Sequence, residues 1–295
     1  MKKGTKIALL IGILFLALGA TMCNIAYGRG ERISARLGKK GGSVQTGYTV
    51  CLDGEERFDA DGVERLSIDW VSGSVRIEPY DGEEILVREK AGETLSENDR
   101  LRWRLRSGEL SILSCAESVG VLTRLPDKEL TVLVPSGFSP REIDLDGASA
   151  DFSVRALSVK GTLTADTASG DVRIGDLRCA ALDIDTASGE IRLDEVSCDD
   201  LALDTASGSI TAEGLACRTV ETDTASGDVS LAFLEAPRSV DADSMSGDVT
   251  LVFPKGTGLK LDFDTASGKL YGEVESGALS VSVDTASGDL TIEYR

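Results

Sequence analysis

A five-residue string, Asp-Thr-Ala-Ser-Gly, occurs six times in the second half of the chain, at Asp166–Gly170, Asp185–Gly189, Asp204–Gly208, Asp223–Gly227, Asp264–Gly268 and Asp284–Gly288, with a variant at Asp243–Gly247. The motif glycines are 19, 19, 19, 20, 21 and 20 residues apart. A near-constant period of this length marks a chain wound into similar coils, so that a residue at one coil position lies beside its counterparts above and below. The chemistry of such a chain is read in columns.

Counted from each motif Gly, apolar residues recur in register. The second position holds Val172, Ile191, Ile210, Val229, Val249, Leu270 and Leu290, and the fourth holds Ile174, Leu193, Ala212, Leu231 and Leu251. The seventh holds Leu177, Val196, Leu215 and Leu234, the ninth Cys179, Cys198 and Cys217, and the twelfth Leu182, Leu201 and Val220. All of these are expected to point inward. Steps of two and three residues alternate, which predicts short strands of period two broken by corners, and no segment carries a 3.6-residue apolar stripe. Strands this short bury a face only by stacking as parallel ladders at about 4.8 Å. The expected fold is therefore all-β, a β-solenoid (parallel β-helix-like) with coils of about 19–21 residues. The motif reads as a tight corner in which Gly accepts positive φ, Asp and Ser bond nearby backbone, and Ala points inward. Three or four sides, and either hand, fit the pattern equally.

The N-terminal end differs. Ile7–Cys23 is an uncharged apolar run preceded by Lys2, Lys3 and Lys6. It has about the minimum length of a membrane span, and no small-x-small cleavage site closes it. Residues 1–28 are read as an N-terminal signal anchor, a transmembrane helix, and 29–47 as a basic, Gly-rich juxtamembrane linker. Residues 1–40 hold eight Lys and Arg and one acid, which leaves 23 basic and 49 acidic residues, a net charge of −26, for the rest. An anionic body on a cationic stalk excludes nucleic acid as a partner, because phosphate binding draws on clustered Lys and Arg. The expected location is the cell membrane, single-pass, with the body outside the cytoplasm.

Residues 48–295 are read as the solenoid, with an irregular cap and degenerate coils over 48–145 and regular coils over 146–295. Leu66–Ile77 matches the repeat in outline, with Trp70 and Val71 where Thr and Ala stand later, and Leu130–Pro135 is a further strand ending at a proline. A cap is needed because an unprotected solenoid end recruits further strands. The Ile68–Pro79 segment, the strand ending at Pro135 and the serial Asp-Thr-Ala-Ser-Gly copies resemble the bacterial putative-adhesin family of β-strand-repeat domains, over about residues 48–295. The resemblance implies a β-solenoid held at the cell surface or envelope, anchored by one N-terminal span, with no established catalytic residues and some members encoded beside envelope-stress systems.

With no histidine in the chain, Ser-His-Asp and Cys-His nucleophile systems and His-containing metal sites are excluded. There are six cysteines and no Cys-x-x-Cys. The Cys179, Cys198 and Cys217 column brings neighbouring Cα atoms into the disulfide range of about 4.4 to 6.8 Å. Parallel side chains point the same way, so free core thiols, one disulfide within the column and a metal site all remain open.

The aspartate column Asp166, Asp185, Asp204, Asp223, Asp243, Asp264 and Asp284 is the candidate site, a ligand or ion ladder. Unit charges one coil apart repel by about 1 kcal/mol in water and by several at a surface dielectric near 20. Either the carboxylates splay into solvent and accept backbone N–H bonds at their own corners, or calcium bridges adjacent coils. The Gly-Gly-x-Gly-x-Asp calcium repeat is absent, and no cofactor is expected. Acids that repeat uniformly along a surface do not make the paired, differently housed carboxylates of a glycosidase. The expected function is therefore non-enzymatic: adhesin-like display or an envelope-associated binding or signalling accessory. The alternative is an enzyme acting on envelope polysaccharide from a β-helix scaffold.

Overall fold

The computed structural model describes residues 47–116 and 126–295. The expected membrane anchor at Ile7–Cys23, and the linker up to residue 46, lie outside the described residues. Among the described residues no helix is long and apolar enough to cross a membrane. Apart from one 3-10 turn at Ala60–Gly62, their regular structure is all strand. The N-terminal strands are β1 (Thr49–Val50), β2 (Glu55–Asp59), β3 (Arg65–Tyr80), β4 (Glu84–Ala91), β5 (Arg102–Arg106), β6 (Glu109–Leu113) and β7 (Lys128–Pro135). The coils follow as β8 (Glu142–Ser158), β9 (Thr162–Thr167), β10 (Val172–Arg178), β11 (Ala181–Thr186), β12 (Ile191–Thr205), β13 (Ile210–Thr224), β14 (Val229–Phe233) and β15 (Ser239–Ser244). The last are β16 (Val249–Phe253), β17 (Leu259–Thr265), β18 (Leu270–Tyr271), β19 (Leu279–Thr285) and β20 (Leu290–Tyr294).

A coil has three straight segments. Along β12 the parallel ladder to β13 breaks between Asp194 and Ser197 and again between Cys198 and Asp200, and the motif corner supplies the third bend. The first bend takes a left-handed residue in successive coils, Ala156, Asp176, Glu195 and Gly214, with φ of 53°, 48°, 53° and 69°. The motif glycines are not left-handed, contrary to the expectation from the sequence. They are required by packing: a Cβ on Gly189 would collide with the carbonyl oxygen of Gly170, one on Gly208 with that of Gly189, and one on Gly227 with that of Gly208. Two backbones meet there with no room for a side chain.

The inward residue of the motif is Thr, not Ala. Thr167, Thr186, Thr205 and Thr224 are buried. Each hydroxyl accepts the N–H of the Gly three residues on, at 3.1 Å for Gly170, 2.9 Å for Gly189, 3.0 Å for Gly208 and 3.0 Å for Gly227. A buried polar side chain is tolerated because this bond satisfies it, and it fixes the corner at the same time. The motif Ser bonds the coil beside it, as Ser207 Oγ donates to the Ala187 carbonyl at 3.3 Å.

The apolar columns form one continuous core, but two of the inward assignments fail. Leu234 is 68% exposed, and Phe233 takes the place opposite Leu215. That coil lacks the left-handed corner residue, so its chain turns one residue early, and Phe233 starts an aromatic stack with Phe253 at 5.0 Å and an interplanar angle of 10°. Leu270 is 43% exposed because it lies on the outermost rung.

The coil order also departs from the sequence order. Strand β15 pairs with β19, and β19 with β17; likewise β16 pairs with β20, and β20 with β18. The last coil is thus inserted beneath the one that precedes it. The other end mirrors this, because β3 lies between β8 on one side and β6 and β7 on the other. There the outer rungs are covered by antiparallel strands, β4 on β7 and β5 on β6, with β2 and β1 beyond them.

This cap holds a buried ion pair. Lys128 Nζ lies 2.7 Å from Glu89 Oε1, donates to the Asp99 carbonyl at 2.6 Å and to the Ser114 carbonyl, and stands 4.7 Å from the centre of the Trp70 ring. Trp70, fully buried at the motif-Thr position, returns its indole N–H to the Lys128 carbonyl at 3.3 Å. Lys128→Met should cost about 3–5 kcal/mol by stranding the Glu89 carboxylate, and adding Glu89→Gln should restore part of that in chemical denaturation. Gly208→Ala should cost about 1–3 kcal/mol, whereas Gly175→Ala, whose added Cβ meets no atom closer than 3.8 Å, should leave Tm nearly unchanged. Equal Tm values for the two glycine variants would remove the argument from close backbone approach.

Candidate binding face

Alternation along the segment before each motif corner puts every second residue outside. On β9 these are Thr162, Thr164 and Asp166, and on β11 Ala181, Asp183 and Asp185. The same column positions are Asp200, Ala202 and Asp204 on β12, then Thr219, Glu221 and Asp223 on β13. They continue as Ser239, Asp241 and Asp243 on β15, and Ser280, Ser282 and Asp284 on β19. No Lys or Arg projects from this face on these six rungs, and the first cation is Lys260 on the outermost rung β17. A shallow groove of about 570 Å³ runs across the rungs, with Asp183, Asp200, Glu221 and Asp241 among its walls. Small polar partners brace it: Thr219 Oγ1 donates to Asp200 at 2.6 Å, and Thr164 Oγ1 to Asp144 at 2.8 Å.

The structure brings the seven motif acids into one column, in the order Asp166, Asp185, Asp204, Asp223, Asp243, Asp284, Asp264. They do not splay into solvent; all seven are half-buried. Burial, followed by the charges of Asp223 and Asp185, pushes the Asp204 carboxyl up to about 8. Burial, then Glu221 and Asp241, raises Asp223 to about 6, and burial, then Asp223 and Asp241, raises Asp243 to about 7. Asp284 is raised for the same reasons, burial first and Asp264 next. The inner carboxyls of the column therefore hold their protons to higher pH than an exposed aspartate does. Among the described residues no group of three or more His, Cys, Asp or Glu is arranged to hold a metal ion.

A second acidic column, directly after the motif Gly, has a different task. Asp171 Oδ1 accepts the Glu190 N–H at 2.9 Å, Asp228 that of Asp248 at 2.9 Å, Asp248 that of Asp289 at 2.8 Å, and Asp289 that of Lys269 at 2.8 Å. Each of these carboxylates caps the first amide of the neighbouring rung. The sequence shows these acids and the interruptions at Glu190, Ser209 and Lys269, but not that a rung supplies its amide whatever its side chain.

Fold and face together define a three-sided β-solenoid of stacked repeats with one acidic side. The Toastrack DUF4097 family model matches residues 63–293, and the chain belongs to that family. No curated protein matches the chain. Among solved structures it is similar to a putative adhesin from Bacteroides fragilis, with 15% identity over 86% of this chain and 100% of that one and a TM-score of 0.45. A putative lipid binding protein from Parabacteroides distasonis matches with 18% identity over 84% and 97%, TM-score 0.46. A putative cell adhesion protein from Clostridium sporogenes matches with 13% identity over 82% and 99%, TM-score 0.27.

The raised carboxyls fix a pH dependence. A group whose folded pKa exceeds its unfolded value binds more protons when folded, so its contribution is complete below about pH 4 and is lost as pH rises through the folded values near 6, 7 and 8. Tm should therefore fall between roughly pH 5 and about 9. Asp204→Asn, which removes the most strongly raised of these groups, should flatten that slope, while exposed Asp194→Asn should not. A Tm that rises over the same range would contradict the half-buried column.

Proposed function

We propose that this chain is a non-enzymatic, membrane-tethered protein that displays its solenoid outside the cytoplasm and binds a cationic envelope component or protein through its acidic side. The observation that carries the reading is the face itself, six rungs of Asp, Glu, Ser, Thr and Ala uninterrupted by a base. Repetition makes it a surface for an extended partner: each coil offers much the same chemistry, and no coil is singled out as a reaction centre would be. The apolar run Ile7–Cys23 and the basic residues that follow it support tethering at a membrane. Face-to-partner attraction of this kind weakens with salt.

The triple variant Asp183→Asn, Glu221→Gln, Asp241→Asn, exposed on three rungs, should lose more than about tenfold in affinity for a polylysine probe at low salt and should retain its Tm. In a pull-down from envelope extract the parent should retain a partner that the variant loses. Protease added to intact cells should digest the solenoid. Fragments released from purified wall glycans by the parent, and abolished by one carboxylate substitution, would replace this reading with the polysaccharide-acting enzyme.

A further inference from the structure

The three cysteines at the ninth coil position lie on consecutive rungs just before the second bend. Cys198 and Cys217 are register partners across β12 and β13, both are buried, and their sulfurs are 3.0 Å apart. Cys179 is half-buried and donates its backbone N–H to the Ser197 carbonyl at 3.1 Å, and the register that sets Arg178 opposite Ser197 puts it beside Cys198 on the next rung. Cys198 therefore has a cysteine on each neighbouring rung, a buried one at Cys217 and a half-buried one at Cys179. Val159, buried on the rung before Cys179, donates its N–H to the Arg178 carbonyl and closes that end with an apolar side chain.

We infer that this ladder is a redox site at which an external disulfide is exchanged inward from Cys179, closing a covalent bond between Cys198 and Cys217. The Cys179 thiolate attacks the external disulfide, forming a mixed disulfide and releasing one thiol. The Cys198 sulfur attacks Cys179, releasing the second thiol and leaving a Cys179–Cys198 bond. The Cys217 sulfur then attacks Cys198, breaking that bond and returning Cys179 to the thiol. Overall, one external disulfide is reduced to two thiols as two protein thiols become one disulfide, with the protons of Cys198 and Cys217 passing to the released thiols. Rung spacing of about 4.8 Å places neighbouring Cα atoms within the span a disulfide bridges. The product joins two adjacent coils and is buried, so an external thiol reaches it only by the reverse relay through Cys179.

Trypsin separates the possible products. Cleavage after Arg178, Arg192 and Arg218 puts Cys179 alone in 179–192 and both Cys198 and Cys217 in 193–218. The purified full chain is incubated with oxidised glutathione, alkylated, digested and weighed. The expected result is 193–218 lighter by two hydrogens and unalkylated, with 179–192 free and alkylated. A final product in which the two peptides are linked, a glutathione adduct that persists on Cys179, or alkylation of all three cysteines would each overturn the inference. Cys179→Ala should leave Cys198 and Cys217 reduced and alkylated over the same interval, and an unchanged rate of closure would remove the entry role of Cys179. Cys217→Ala should stop at linked peptides, and full alkylation of that variant would deny the intermediate.

Discussion

The structure depends on how closely the backbones of adjacent coils approach at the motif corner. Glycine lies directly over the carbonyl of the glycine one rung below, and the motif Thr turns inward to hold the Gly amide. Once that contact is made, neither coil can slide along the other without driving a Cβ into a carbonyl. Register is therefore set at one point per coil and transmitted along each segment by the parallel ladder. Everything else follows from being in register: Leu over Leu, Phe over Phe, Cys over Cys and, less comfortably, Asp over Asp.

The aspartate column shows what that constraint costs. A solenoid cannot stagger its rungs to separate like charges, so the carboxyls must either reach water or keep protons. Here they lie partly beneath neighbouring side chains, and burial outweighs charge repulsion as the largest influence on each raised member. The acids after the motif escape the problem because each finds an amide on the next rung. Two columns of the same residue type, five positions apart, thus behave differently: burial raises the inner carboxyls of one, and those of the other cap amides.

The period and the inward columns were legible in the sequence because they repeat, and each repeat tests the last. What did not repeat was not legible. Leu234 occupies an inward position by count, but its coil lacks the corner residue that would keep it there. Lys128 and Glu89 belong to no repeat and lie 39 residues apart, so nothing short of the folded cap brings them together. The role of the motif Gly was misread since glycine answers two needs, a left-handed φ and a tight contact, and sequence does not distinguish them. The coil order was hidden for a plainer reason: the motifs at Asp264 and Asp284 are identical, so either would fit either rung.

The interleaved ends bear on how such a protein can change length. In the middle, from β9 to β15, each coil lies on the one before it, and a duplicated stretch of gene encoding one more coil would slot in without disturbing its neighbours. At the C-terminal end the chain steps past a vacant rung and returns to fill it, and at the other end it crosses over the filled rung of β3 to reach β8, so an added coil would have nowhere to go unless those crossing connections were rebuilt. Lineages of this architecture should therefore lengthen from within, keeping their terminal coils as fixed bookends around a variable interior.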